Sequence, residues 1–285
     1  MATDLPSASS GQARSTGSGQ APLSRSGKSP LEVARLCARE GERIVMPAFG
    51  HPQDVFVKGR GNLVTAADLT SERAIHEILA AEYPDHAVLS EETAATARGE
   101  EWMWVVDPLD GTHNYARGIP FFCINIALCY REEPLVGLTF EPVRGEEFYA
   151  QKGEGAFVNG ERMQVSRAQS VGASLLAVGL GYNDQRAGRL LALLHELWPG
   201  MQSIRITGSA ALGLAYTACG RFDLFVHHVL YPWDIAAGIL LVREAGGAFS
   251  DRDGGPVSIR SEGAIAGAPG AHADFLRLAA GRPWR

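Results

Sequence analysis

The stretch DPLDGTHNY at residues 107–115 follows directly on the apolar run WMWVV at residues 102–106. A short apolar run bounded by turn residues reads as a buried strand. At its end stand two carboxylates, Asp107 and Asp110, set around Pro108, with Gly111-Thr112 behind them. One aspartate at a strand end is ordinary turn chemistry. Two of them, ahead of a Gly-Thr pair that reads as the opening of a short helix, ask for a ligand. Bare backbone N–H groups at a helix start attract anions, and glycine lets an anion come close. Pro108 stiffens the turn, so that both carboxylates can point the same way and the Leu109 carbonyl can offer a further oxygen.

Three more acidic positions fall at predicted element ends: Asp68 after LVTAA, Glu91-Glu92 after AVLS, and Asp234 in YPWD ahead of an apolar helix. Taken singly, each has a structural role available. Asp68 and Asp234 fit helix N-caps, and Glu91-Glu92 fit a solvated turn. Taken together, carboxylates converging at strand ends are the hard oxygen donors that a divalent cation such as Mg²⁺ prefers. The formal net charge of −6 argues against nucleic acid as a partner. A cation in the acidic pocket reverses the local sign and so reconciles an acidic chain with a phosphate ligand. Metal, phosphate and a threonine hydroxyl in one place point to phosphoryl hydrolysis.

With 285 residues, 46% of them hydrophobic, the chain can bury one large core or two modest ones. No apolar run reaches the roughly 20 residues of a membrane helix. Cys37, Cys123, Cys129 and Cys219 show no metal-ligand or CxxC spacing and read as free buried thiols of a reducing compartment. The expectation is a soluble, cytoplasmic protein with no membrane partner. Residues 1–29 are rich in Ser and Gly, lack aromatic residues and lack the apolar segment of a secretory signal. They read as a disordered tail. Order begins at Ser29, where Ser29, Pro30 and Glu32 fit the N-cap, N1 and N3 of a capping box. Residues 30–165 then read as an α+β sub-domain with an antiparallel sheet, its hairpin at Asn159-Gly160, carrying most of the acidic positions. Residues 166–285 alternate strands and helices as an α/β sub-domain that contains Asp234.

DPLDGTHNY, the SEE at residues 90–92, NLVTAAD at 62–68, RITGSAAL at 205–212 and YPWDIAAGILLVREAGG at 231–247 resemble the inositol monophosphatase family. These are Mg²⁺-dependent, lithium-sensitive phosphomonoesterases of the wider fructose-bisphosphatase superfamily, and the resemblance spans about residues 31–280. It implies an α/β fold of the layered α-β-α-β-α type, a site between the two halves and a homodimer. It further implies that Glu91, Asp107, the Leu109 carbonyl and Asp110 bind a first Mg²⁺. Asp107, Asp110 and Asp234 would hold a second, with Asp68 in support or on a third ion. Thr112, assisted by Asp68 and Glu91, would orient and deprotonate the attacking water. Gly111 and Thr112 amides would hold the phosphate, and Gly208, Ser209 and Ala210 would line the side of the pocket that takes the alcohol portion; Ser209 also fits a helix N-cap.

The departures bear on the substrate. His227 stands where inositol phosphatases carry a glutamate that bonds ring hydroxyls, and it reads either as a substrate contact or as a strand-end residue facing solvent. His113 replaces a commoner Thr or Leu and reads as a phosphate contact or a loop residue. Asn62 replaces a frequent Asp. The expected substrate is a small phosphorylated polyol, inositol 1-phosphate by default. Histidinol phosphate, fructose 1,6-bisphosphate or another sugar phosphate is the alternative within the same chemistry, and a non-catalytic interaction protein the alternative outside it.

Overall fold

Apolar periodicity sorts the chain into two sheets and three helical layers. A computed structural model describes residues 21–51, 55–59, 62–92 and 100–284. The strands are β1 Phe56–Gly59, β2 Asn62–Val64, β3 Ala87–Ser90, β4 Trp102–Asp110, β5 Cys123–Tyr130, β6 Glu133–Glu141 and β7 Glu146–Gln151. They continue as β8 Gly155–Val158, β9 Glu161–Arg162, β10 Leu175–Gly179, β11 Ser203–Ile206, β12 Leu224–His227, β13 Ala248–Ser250 and β14 Ala264–Gly267. The helices are α1 Pro30–Val45, α2 Ala66–Glu82, α3 Thr112–Ala116, α4 Asp184–Leu197, α5 Ala210–Ala218, α6 Pro232–Glu244 and α7 Pro269–Ala279.

The first sheet runs β3-β4-β5-β6-β7-β8-β9 and is antiparallel except for the parallel β3–β4 pair. The second runs β11-β10-β12-β14-β13; β10 lies parallel to both neighbours and the β14 pairings are antiparallel. A hairpin of β1 and β2 stands apart from both.

Side-chain alternation along the strands builds the layers. On β4, Trp104 and Val106 join Leu31 of α1 and Ile75 and Leu79 of α2 in an outer core. Met103 and Val105 face the other way, into a central core with Leu214 of α5 and Ile235 of α6. The second sheet closes that core with Phe225 and Ala266, while its Val178, Val226 and Ile265 face Leu190 and Leu193 of α4 and Phe275 of α7. The order is α1/α2, sheet, α5/α6, sheet, α4/α7, the layered α-β-α-β-α sandwich. Strands covered on both faces need no polar side, which is why CINIALCY and LVGLTFE are nearly continuous apolar runs. Among the described residues no helix is long and apolar enough to cross a membrane.

After α6 the alternation runs on through β13, β14 and α7. One element of the sequence reading needs correction. Residues 1–20 lie outside the described residues, but 21–29 are not a free tail. The Arg25 amide donates to the Glu82 carbonyl at 2.8 Å, and Tyr83 Oη donates to the Pro22 carbonyl at 3.1 Å. Ser24 Oγ and Ser26 Oγ both donate to Glu82 Oε2, at 2.7 and 2.6 Å, and Lys28 Nζ reaches Glu82 Oε1 at 3.0 Å. Polar composition hid the contact, because one carboxylate at the end of α2 collects these donors. The Ser26 and Ser24 hydroxyls, then the Lys28 ammonium, hold the Glu82 carboxyl down to about 2.

A chain shortened through residue 28 is therefore expected to melt below one shortened only through residue 20. Calorimetry at neutral pH checks this, and Glu82→Gln should reproduce much of the loss. Because the Glu82 carboxyl is depressed on folding, its contribution is complete above the ordinary value of 4.5 and fades as pH falls through about 2.

Candidate active site

The motif that opened the sequence analysis lies inside a strand rather than after one. β4 runs through to Asp110, and its pairing with β5 slips between Asp107↔Asn125 and Asp110↔Cys123. Three residues of β4 thus face two of β5, which is a β-bulge at Pro108-Leu109. In a regular strand, residues three apart point to opposite faces. The extra residue restores the parity, so both carboxylates can turn to one side. Proline, having no N–H to lose, suits the bulge. Gly111 follows at φ 95°, a left-handed conformation that turns the chain into α3.

Asp234 and Asp68 are not N-caps. Each sits at N3 of its helix and reaches back to the backbone before it: the Tyr231 amide donates to Asp234 Oδ2 at 2.7 Å, and the Thr65 amide to Asp68 Oδ2 at 2.8 Å. A carboxylate at N3 satisfies an orphan N–H with one oxygen and keeps the other for another use. Asp68 Oδ1 accepts from Thr112 Oγ1 at 3.0 Å, and the same hydroxyl lies 3.2 Å from the Leu109 carbonyl. Asp234 joins Asp107 and Asp110: the three offer carboxylate oxygens that all lie within 4.8 Å of one another. The start of α6 is fastened in place by Asn125 Nδ2, which donates to the Trp233 carbonyl at 2.7 Å, while Thr139 Oγ1 donates to Asn125 Oδ1 at 2.7 Å.

Gly208-Ser209-Ala210 does more than line a wall. The Ser209 hydroxyl and the Ala211 amide (2.9 Å) donate to Asp110 Oδ2, and the Ala210 amide to Oδ1 at 3.2 Å. Ser209 also accepts from the Leu212 amide at 3.4 Å, so it caps α5 and seats the aspartate at once. The start of α5 contributes partial positive charge to the same carboxylate.

Glu91 lines the cleft but lies outside the three-carboxylate group. The β1–β2 hairpin carries Lys58 across to it, and Lys58 Nζ lies 3.4 Å from Glu91 Oε1 and also bonds Glu92. A lysine on a strand distant in sequence leaves no local signal. His113, His227, Gly208 and Asn62 line the cleft of about 260 Å³, as do three aromatic residues that sequence reasoning did not assign, Tyr182, Tyr231 and Trp233. Trp233 and Tyr231 flank Asp234 in the YPWD motif and could have been suspected. Tyr182 follows β10 with no pattern to mark it.

The electrostatics favour a cation. Burial, then Glu91, Asp110 and Asp234 in turn, push the Asp107 carboxyl well above the usual carboxylate range. Burial and then Asp110 do the same to Asp234. Asp110 is raised by burial, against the Ser209, Ala210 and Ala211 donors. Among the described residues no Lys or Arg pairs with any of the three. Buried like charges without a counterion, presented through hard oxygens, fit a divalent cation of the Mg²⁺ class.

Glu91 is pushed up to about 7, mainly by burial, with the Lys58 charge opposing. A carboxyl raised on folding stabilises the metal-free protein below the ordinary value of 4.5, and that contribution is lost as pH rises through about 7. A divalent cation bound through Glu91 would displace the same proton, so affinity for it is expected to rise with pH up to about neutrality and then level off, with protons released on binding. Calorimetric titration in buffers of different ionisation enthalpy measures the release, and Glu91→Gln should reduce it.

The family model described as "Inositol monophosphatase family" matches residues 28–281. A chloroplastic phosphatase IMPL1 of Arabidopsis thaliana is 36% identical over 236 residues, covering 80% of this chain but 64% of that relative. A protein of Aquifex aeolicus named fructose-1,6-bisphosphatase/inositol-1-monophosphatase is 35% identical over 222 residues, 77% of this chain and 84% of the relative. The crystal structure of the extragenic suppressor protein SuhB from Bartonella henselae superposes with a TM-score of 0.82 at 34% identity, covering 88% of this chain and 98% of that one. The chain belongs to the inositol monophosphatase family.

Proposed function

We propose that the protein is a Mg²⁺-dependent phosphomonoesterase of small phosphorylated polyols and sugars, with inositol 1-phosphate as the reference substrate. The observation that carries the reading is the buried group of Asp107, Asp110 and Asp234, with oxygens within 4.8 Å of one another. Beside it stands the Thr112 hydroxyl, hydrogen-bonded to Asp68. Those three aspartates, with Glu91 and the Leu109 carbonyl, would hold two or three Mg²⁺ ions. Bound there, Mg²⁺ supplies positive charge to the phosphate oxygens and acidity to water.

The chain's own groups do the rest. The Gly111 and Thr112 amides hold the phosphate. Thr112 Oγ1 accepts a hydrogen bond from the attacking water and hands its own proton toward Asp68 Oδ1, 3.0 Å away. Burial raises the Asp68 carboxyl, against the Thr65 and Thr112 hydrogen bonds, which suits it to receive a proton. Asp68 and Asp234 are both held by helix starts, so little reorganisation is needed during attack. Water adds to phosphorus opposite the departing alkoxide, and no phosphoenzyme forms. The name carried by the Aquifex aeolicus relative supports fructose 1,6-bisphosphate as an alternative substrate; histidinol phosphate is a further one. A non-catalytic interaction module would have no use for a buried, mutually repelling carboxylate set. The reading includes a cytoplasmic homodimer, which sedimentation would test.

Asp110→Asn is expected to retain the fold by circular dichroism and to lower phosphate release from these esters by about a thousandfold. Near-normal turnover would refute the ligand assignment. Thr112→Ala should cost about a hundredfold in kcat with a smaller effect on KM, because it removes a proton route rather than uniform binding. Lithium should inhibit the wild-type protein.

A further inference from the structure

Helix α2 turns one polar face toward the site. Asp68, Ser71 and Glu72 stand at i, i+3 and i+4, which puts them on one side of the helix, and all three are buried. Each meets a different part of the site. Asp68 holds the Thr112 hydroxyl. Ser71 Oγ donates to the Pro108 carbonyl in the β4 bulge at 3.4 Å. Glu72, 2% exposed, reaches the end of β3. There Ser90 Oγ donates to Glu72 Oε1 at 2.8 Å, and the Glu92 amide donates to Glu72 Oε2 at 2.9 Å. These two donors flank Glu91 in the chain, so one carboxylate clamps the turn that carries it.

Strand β3 pairs in parallel with β4, and Ser90 stands opposite Val106, so Glu91 leaves the sheet next to Asp107. The clamp has a direction. The Ser90 hydroxyl has one proton, which goes to Glu72, so His76 Nε2, 2.9 Å from Ser90 Oγ, is the donor in that contact. The Glu72 carboxylate is thus called on twice as an acceptor. Glutamine has nearly the same volume but one acceptor oxygen and one NH₂ group, which would face a donor at Ser90 or at the Glu92 amide. From β1, Lys58 bonds Glu92 and lies 3.4 Å from Glu91 Oε1, so the turn is held from two sides. Glu91 lines the cleft and Glu72 does not.

We propose that Glu72 is a positioning residue for the reaction proposed above: by accepting from both residues that flank Glu91, it sets the Glu91 carboxylate toward the cation that the three aspartates attract. Asp107 and Asp110 are placed by β4, and Asp234 by the start of α6. Glu91 comes from a turn beyond the end of β3, and a ligand on a turn needs a support that the sheet does not give. Helix α2 supplies it. The same helix holds Thr112 through Asp68, which keeps the Glu91 turn and the Thr112 hydroxyl in one rigid frame. Hydrogen bonds that orient a ligand without touching the ion change metal affinity by about tenfold to a hundredfold.

The inference rests on the reading of Glu91 as a cation ligand, and a double-mutant cycle separates the two. The dissociation constant for Mg²⁺ is measured by calorimetric titration, without substrate, for the wild type, Glu72→Gln, Glu91→Gln and the double variant. The three aspartates remain in every protein, so weakened binding is still measured. Glu72→Gln is expected to raise the constant about tenfold in the wild type and by less than about twofold where Glu91 is already replaced, because its effect runs through that carboxylate. The same factor in both backgrounds would show a distant charge or a general loss of stability, and it would overturn the assignment; so would an unchanged constant in the wild-type background. Should Glu72→Gln not fold, Ser90→Ala keeps the carboxylate and removes one of its two bonds. It is then measured in the same two backgrounds, with a rise of about threefold expected in the first and none in the second. Equal factors there would likewise overturn the assignment. Mg²⁺ affinity unchanged in Glu91→Gln would refute the ligand reading, and the assignment with it.

Discussion

Repulsion among buried carboxylates is the constraint that organises this molecule. Asp107, Asp110 and Asp234 come from a strand and a helix far apart in sequence, yet their oxygens lie within 4.8 Å of one another. Like charges in a poorly solvated place drive a structure apart unless the backbone that bears them is held firmly. The molecule holds it in three ways. A bulge in β4 turns two aspartates to one side, the start of α5 donates to Asp110, and the start of α6 is tied down through Asn125 and Trp233. The layered sandwich supplies the stiffness: α5 and α6 lie between two sheets, so neither helix start can drift without disturbing the central core.

Several residues therefore serve fold and site together. Ser209 caps α5 and binds Asp110. Asp68 accepts from the Thr65 amide at the start of α2 with one oxygen and holds the Thr112 hydroxyl with the other. Asn125 and Thr139 form a buried polar chain from β6 through β5 to the start of α6, next to Asp107 in the sheet register. Structural and chemical readings of such residues do not compete. Orphan backbone groups at helix starts need acceptors, and a carboxylate already bonded there is pre-positioned for chemistry. The cleft is lined by the acidic residues Glu91, Asp107, Asp110 and Asp234 together with the aromatic residues Tyr182, Tyr231 and Trp233.

Much of this was legible in the chain itself. The run WMWVV announced a buried strand, the Ser29-Pro30-Glu32 box marked the start of α1, and the acidic clusters marked the cleft. These signals are local, because strand burial, helix capping and turn chemistry act over a few residues. The errors were of another kind. Asp107 and Asp110 were taken to stand in a turn, whereas a slip against β5 aligns them, and a slip is a property of two strands. Residues 21–29 were assigned to a disordered tail, whereas Glu82, distant in sequence, collects their hydroxyls.

The sequence by itself determined the element types and the carboxylates that meet at the centre, which follow from residue type and spacing, while its resemblance to the inositol monophosphatase family implied the layered architecture. Tertiary structure alone decided that Lys58 reaches Glu91, that Asp110 rests on the start of α5, and that the Cδ2–Nε2 edge of His227 packs against Gly179. Each of those depends on a contact between segments separated by tens of residues. The free energy of such a contact is set by distance and burial in the folded chain, and no local pattern encodes either.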